Sequence, residues 1–145
     1  MTPEGRECRR MIAEALGNYG LPCSEAALRL LCMIAAHESG GFTYSKQIKG
    51  PALSLFQIEP RTYNDLITYA ERKGINIPNG PPEQLIFNEG LAAALGRLFF
   101  MRFPEKLPDK DDIAGMAAYA KQRWNTDYGA ATPDDYESAY REHFV

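Results

Sequence analysis

The chain has little of what would mark several common classes of protein. Its three cysteines, Cys8, Cys23 and Cys32, are an odd number with no C-x-x-C spacing and no matching histidine pair. This argues against a disulfide framework and against zinc, and no metal site or cofactor is expected. Cys32 lies inside an apolar run, where a free thiol acts as a small core hydrophobe, and a reducing cytoplasm is the expected place of synthesis. Basic charge is scarce as well: 16 lysines and arginines stand against 19 aspartates and glutamates, a formal net charge of −3. A nucleic-acid binder needs a basic patch, so nucleic acid is not an expected partner. The longest apolar run, Leu30 to Ala36, is far too short to span a bilayer, and no membrane insertion is expected. The opening MTPEGRECRRMIAEALGNYG has no continuous apolar stretch of the signal-peptide type. Internal repeats and low-complexity segments are also absent.

What remains is ordinary globular material. The 145 residues, 45% hydrophobic and 24% charged, suffice for one domain with a single core. The expected fold class is mainly α, one helical domain over residues 1–145 with at most a minor β-element near residues 42–57. Thr2-Pro3-Glu4 reads as an N-cap, a proline at the first helical position and an acidic first turn, opening a helix to about Tyr19. Met11, Ile12, Ala15 and Leu16 recur at helical spacing along it. Ser24 caps a second helix, Glu25 to Ser39, closed by Gly40-Gly41. From Ala26 to Ala36 only Arg29 is charged, so this helix should be the buried central element.

Helical periodicity is lost between Phe42 and Gln57, where Tyr44-Ser45 and Gly50-Pro51 suggest a loop with room for a short hairpin. A third helix should follow Pro60 and end at Gly74. A long helix is expected from about Pro82 to Phe103, carrying Leu91, Leu95, Leu98 and Phe99 inward. Pro108-Asp109 should open another that reaches about Trp124, and Thr132-Pro133-Asp134-Asp135 a final short one.

Glu38 does not suit its surroundings. It sits at the C-terminal end of the most apolar helix, where the macrodipole disfavours an anion. Burial also disfavours the charged form, so two effects should raise its pKa together. A carboxylic acid kept protonated near neutral pH is what a general acid needs to protonate a leaving glycosidic oxygen. Gly40 and Gly41 leave room for a sugar to approach closely, and Ser39 offers a hydroxyl. A lone glutamate at a helix end, however, more often just reaches water.

The neighbouring segment adds context. The run His37-Glu38-Ser39-Gly40-Gly41-Phe42, followed by Ser54-Leu55-Phe56-Gln57-Ile58-Glu59-Pro60, resembles the soluble lytic transglycosylases of the lysozyme-like superfamily. That family carries a Glu-Ser pair closing a buried helix. A Gly-Leu-Met-Gln-Ile-x-Pro type motif then opens the next helix at matching spacing. A third block, Ala-Ala-Tyr-Asn-Ala-Gly in the family, looks like Ala117-Ala118-Tyr119-Ala120-Lys121-Gln122. The resemblance runs from about Ile34 to Thr62, is weak around Tyr119, and is absent from the first turn and the tail. Ser54 stands where the family has glycine, and Ala120 where it has asparagine.

The resemblance implies a single lysozyme-like domain that cleaves the β-1,4 bond between N-acetylmuramic acid and N-acetylglucosamine without water. One glutamate, here Glu38, acts first as acid and then as base. The muramyl 6-hydroxyl attacks its own anomeric carbon, leaving 1,6-anhydromuramic ends. Hydrolysis instead needs two carboxylates at a defined separation, for which Glu59 and Asp65 are the candidates. Glu59 also suits the acidic preference of helix starts.

Around Glu38, the expected substrate-binding residues are Ser39, Gln57, Tyr119, Ser54 and Phe56. Gln57 offers a donor and an acceptor that can read an N-acetyl group, or else it is a capping or surface amide. Tyr119 can bring a hydroxyl near Glu38, or else it is a core aromatic. His37, next to the acid on the helix, points to another face and should pack rather than react. Trp124, Tyr44 and Phe56 are the aromatic rings expected in a cleft.

The implied partners are peptidoglycan glycan strands and, for a phage-borne enzyme, phage structural proteins. Synthesis without a signal peptide would require a virion, a lysis system or a secretion machine to carry the protein to the wall. Two other readings use the same residues. One is a muramidase that hydrolyses the same bond; the other is a non-catalytic virion or glycan-binding protein that keeps the fold. Retention of Glu38, Ser39 and Gln57 together argues against the last, because an unused buried acid only destabilises.

Overall fold

The computed structural model describes residues 1–43 and 52–145. Local capping chemistry sets most of its helix starts. Thr2 accepts the Gly5 N–H and opens α1 (Pro3–Asn18), and Ser24 accepts the Ala27 N–H and opens α2 (Glu25–Glu38). In α2 the side chains of Ala27, Leu28 and every residue from Leu30 to Ala36 are buried. This helix packs against α1 and two later helices, as an apolar surface on nearly all sides requires. Burying a side chain such as Leu31 or Met33 contributes ~1.5–3 kcal/mol, so α2 is the element around which the others assemble.

The turn after α2 is unusual. Gly40, Gly41 and Phe42 all have positive φ, and a Cβ on Gly41 would come within 3.2 Å of the His143 ring. The Phe42 ring meets His143 and Phe144 edge-on, which ties the end of α2 to the end of the chain.

Among the described residues the anticipated minor β-element is one antiparallel bridge, Leu53 with Ile58, closed by hydrogen bonds of 2.8 and 2.7 Å. Its turn puts Ser54 at φ 76° and Gln57 at φ 52°, a region that L-residues rarely occupy. The Ser54 hydroxyl accepts the Phe56 N–H and helps to hold the turn. Tyr44, Ser45, Gly50 and Pro51, expected in the preceding loop, lie outside the described residues.

Helix α3 (Pro60–Lys73) ends at Gly74 in the left-handed conformation, as its glycine suggested. The expected helix from Pro82 to Phe103 is instead two pieces. A 3-10 turn, Pro82–Ile86, stops before exposed Phe87, and Asn88 then accepts the Leu91 N–H to start α4 (Glu89–Met101). An asparagine side chain competes for backbone donors, so it caps a new helix more readily than it continues an old one. Leu91, Leu95 and Leu98 are buried as expected, but Phe100 rather than Phe99 is the aromatic in the core.

The helix anticipated at Pro108 begins later. Asp109 makes a local turn by accepting the Asp111 N–H, and Asp112 caps α5 (Ile113–Tyr119) through the Gly115 N–H. The coil then widens into a π turn, Ala120–Asn125, closed by a 2.7 Å bond from Thr126 N to Lys121 O. Helix α6 (Pro133–Phe144) starts with a reciprocal Thr132/Asp135 capping box and buries Tyr136, Tyr140 and Phe144 on one stripe. It lies against α1, α2 and α5, and the Thr2 N–H bonds His143 O across the termini. No helix among the described residues is long and apolar enough to cross a membrane.

Candidate active site

Glu38 is the last residue of α2, and α6 lies across it. The Tyr136 hydroxyl donates to Glu38 Oε1 at 2.6 Å. Burial raises the Glu38 pKa, while the Tyr136 hydrogen bond and the nearby His37 lower it; burial prevails and the carboxyl titrates above its ordinary range. Burial also pushes the Tyr136 hydroxyl upward, reinforced by the charge of Glu38, so it stays a neutral donor. The His37 ring packs on that of Tyr136, centroids 4.2 Å apart.

The Glu38 carboxyl opens into a cleft of about 490 Å³. One wall is the end of the hairpin and the start of α3, with Gln57, Ile58, Glu59 and Thr62. The other is the π turn and the loop after it, with Trp124, Asn125, Thr126, Tyr128 and Gly129, and Phe99 of α4 completes the lining. Phe99 and Trp124 meet at 4.7 Å with their planes inclined by 61°. Amide and hydroxyl groups beside aromatic faces form a surface suited to a sugar, whose ring carries hydroxyls at its edge and C–H groups on its faces.

The structure therefore brings Glu38, Gln57, Glu59 and Trp124 together. One Gln57 amide hydrogen is committed to Ser54 O at 2.7 Å, and the rest of the amide has no hydrogen bond among the described residues. Five other expectations are corrected. Ser39 is wholly buried, and its hydroxyl accepts the Phe42 N–H at 2.6 Å, so it braces the turn and does not face the cleft. Ser54 is likewise buried in its own turn, and the Phe56 ring is a fully buried core group. Tyr119 turns away from Glu38: its hydroxyl donates to Glu105, which Arg123 also holds. Asp65 is exposed on α3 and does not line the cleft, and Tyr44 lies outside the described residues.

Tyr136, Asn125 and Phe99 are the site residues that sequence reasoning missed. Tyr136 carried a partial signal: it heads a stripe with Tyr140 and Phe144, and a tyrosine buried in such a stripe needs a partner for its hydroxyl. Nothing local connects it to Glu38, 98 positions away.

A second half-buried acid was also missed. Glu89, in the first turn of α4, accepts the Leu55 N–H on both carboxylate oxygens at 3.1 and 3.2 Å. Burial pushes it up to about 7. It lines a separate, largely apolar groove of about 460 Å³ with Pro3, Cys8, Met11, Phe42 and Leu55.

Among the described residues no group of three or more histidine, cysteine or acidic side chains is placed to hold a metal ion. Comparison of the chain with family models, with curated proteins and with solved structures finds no match.

Proposed function

We propose that this chain cleaves the β-1,4 bond between N-acetylmuramic acid and N-acetylglucosamine in peptidoglycan, as a lytic transglycosylase with Glu38 as its one acid and base. The observation that carries the reading is a protonatable carboxyl at the end of the most apolar helix. It opens into a polar and aromatic cleft whose wall includes Gln57, from the segment that resembles the family.

Protonated Glu38 gives its proton to the glycosidic oxygen as the bond from that oxygen to the muramyl anomeric carbon breaks. The resulting carboxylate then takes the proton of the muramyl 6-hydroxyl, whose oxygen bonds to the same carbon. The 1,6-anhydro product forms and Glu38 is protonated again, with no water consumed. A carboxyl with a raised pKa suits both steps, because it is neither fully ionised before the first nor a feeble base in the second. Gln57 is suited to an N-acetyl group, and the Trp124 and Phe99 faces to a sugar ring.

One observation favours hydrolysis as a second reading. Glu59 lines the same cleft, is exposed, and makes no capping hydrogen bond at the start of α3. Among the described residues its side chain has no hydrogen-bond or ion-pair partner, and it is a second carboxylate of the kind a muramidase uses to engage water or the anomeric carbon.

Mass spectrometry of soluble products from purified peptidoglycan separates the readings, using wild type, Glu38→Gln and Glu59→Gln. The proposal expects 1,6-anhydromuramic ends from wild type and from Glu59→Gln, and none from Glu38→Gln. Reducing ends that vanish in Glu59→Gln would establish the hydrolase. No product from folded wild type would leave a glycan-binding or virion-structural role. For a phage-borne enzyme, the chain should also be detectable in purified virions.

A further inference from the structure

We propose that Tyr128 is a further substrate-binding residue, which takes one sugar ring of the glycan strand at the mouth of the cleft, on a loop that Lys121 holds in place. The inference rests on the proposed function, since it needs a glycan in the cleft. Tyr128 belongs to the cleft wall, yet its side chain is 100% exposed. Its ring therefore adds nothing to the core, and core packing does not account for the way its loop is held.

That loop is clasped on both sides of the tyrosine. An ammonium group has three hydrogens and no acceptor. Lys121 Nζ gives all of them to one short stretch: Asn125 Oδ1 at 2.7 Å, Thr126 O at 2.8 Å and Gly129 O at 2.9 Å. Tyr128 lies between the last two. Backbone bonds tighten the same stretch, Thr126 N to Lys121 O at 2.7 Å and Gly129 N to Thr126 O at 3.3 Å. A Cβ on Gly129 would overlap the Asn125 side chain, so glycine lets the loop pass that close. Thr126 has φ 64° and ψ 179°, a region that glycine alone ordinarily occupies. Such strain costs stability, persists only where the surroundings over-determine it, and gathers at sites that clamp a ligand.

A ring held out on a braced loop suits a sugar. Tyrosine brings a large flat face with few side-chain torsions to fix, and a hydroxyl that stays wet. The C–H face of a pyranose can stack on it while the sugar hydroxyls keep their contact with water. Because the loop is already ordered, binding does not have to order it. Phe99 and Trp124 lie in the same lining, and Tyr128 is the most exposed of these rings. The substrate it selects is a strand that extends beyond the two sugars flanking the scissile bond. Lys121 is a positioning residue, which acts through the loop.

The test uses Glu38→Gln protein, so that the strand is not cut. The probe is the peptide-free tetrasaccharide of alternating N-acetylglucosamine and N-acetylmuramic acid. Trp124 is the chain's one tryptophan, and its fluorescence reports filling of the cleft. Adding Tyr128→Ala should weaken binding by roughly 3- to 10-fold, the range of an aromatic contact. Tyr128→Phe, which restores the ring, should recover most of that loss. Phe87→Ala, which removes an exposed ring outside the cleft, should change nothing. Lys121→Met should weaken binding too, and should add nothing to Tyr128→Ala, because its effect passes through that ring.

Unchanged affinity in Tyr128→Ala would overturn the inference and leave the proposed function standing, since Trp124 would still report a bound strand. A Lys121→Met effect that persists undiminished without the Tyr128 ring would overturn the positioning role, because the lysine charge would then act on the strand directly. No Trp124 response from folded protein would overturn both the inference and the glycan reading beneath it. Tyr128→Ala removes a fully exposed side chain, so the result does not hang on a variant that fails to fold.

Discussion

Glu38 and Glu89 are both carboxyls at helix ends, both half-buried and both raised in pKa by that burial, yet they have opposite environments. Glu89 sits in the first turn of α4, where the macrodipole favours an anion, and still is pushed up to about 7. Its hydrogen-bond partner is a backbone N–H, and the groove beside it is mostly apolar. Glu38 stands at the unfavourable end of α2, holds a side-chain donor in Tyr136, and opens into a cleft with amides, hydroxyls and aromatic faces. A raised pKa therefore does not distinguish the two. What distinguishes Glu38 is its side-chain donor and the polar and aromatic cleft it opens into, the features on which the proposed function rests.

The sharpest way to break this comparison is to neutralise each acid. Glu38→Gln should abolish glycan cleavage, a loss of at least ~10²–10⁴-fold for a general acid and base. Glu89→Gln should stay within about twofold of wild type, since a carboxyl outside the cleft has no part in proton transfer. Product release from labelled peptidoglycan measures both. Equal losses would mean that the two sites work together.

The next largest effect separates the two acids by their partners. Tyr136→Phe keeps the ring that packs on His37 and removes the donor to Glu38. A hydrogen bond to a charged group contributes ~1.5–3 kcal/mol, so turnover should fall by roughly 10- to 100-fold as the carboxylate base loses its support. The Glu38 pKa should rise further, moving the alkaline limb of the pH–rate profile upward. A limb that moves downward would contradict the assignment.

Stability should reveal what the acids share. The folded-state pKa of Glu89 is raised from 4.5 to about 7, so its contribution is intact below pH 4.5 and is lost as pH rises through 7. Glu89→Gln removes that penalty. It should leave stability near wild type at pH 4 and increase it at pH 8 by ~1–3 kcal/mol, the upper figure being the full shift and the lower allowing for partial solvation. Glu38→Gln should act in the same direction, because its pKa is also raised. Urea denaturation at the two pH values decides; a variant of Glu89 less stable at pH 8 than wild type would reverse the sign.

The smallest expected change tests the cleft wall alone. Gly129→Ala crowds the Asn125 side chain and should lower cleavage by roughly tenfold or less, as a slight misplacement of a supporting group does. Thermal melting should show the fold retained. Full activity would show that the wall tolerates displacement of Asn125.

Much of this could be read in the residues, and the reasons are local. Thr2, Ser24 and Thr132 cap helices because a side-chain oxygen reaches a backbone N–H two or three positions on, and Gly74 ends one because it lacks a Cβ. The apolar run of α2 marks it as central wherever the other helices lie. It also leaves Glu38 conspicuous. Gln57 and Glu59 come with the segment that opens α3, so their presence in one wall follows from a few residues of chain.

Other features depended on packing between distant segments. Whether Tyr119 or Tyr136 reaches Glu38 is decided by how α5 and α6 rotate against α2, and periodicity places both tyrosines simply inside. Ser39, Ser54 and Phe56 turn inward because two tight turns need their hydroxyls and the core needs the ring. The break at Asn88 and the late start at Asp112 escaped the sequence reading, because each capping residue lies within a pattern that also suits a continuing helix. The clasp of Lys121 on Asn125, Thr126 and Gly129 needs a π turn, which no spacing of side chains announces. Composition and capping act over a few positions and decide which segments are helices and which helix is buried. Which side chains meet at Glu38 is decided by contacts across as many as 98 residues, and only the folded chain brings those groups within hydrogen-bonding distance.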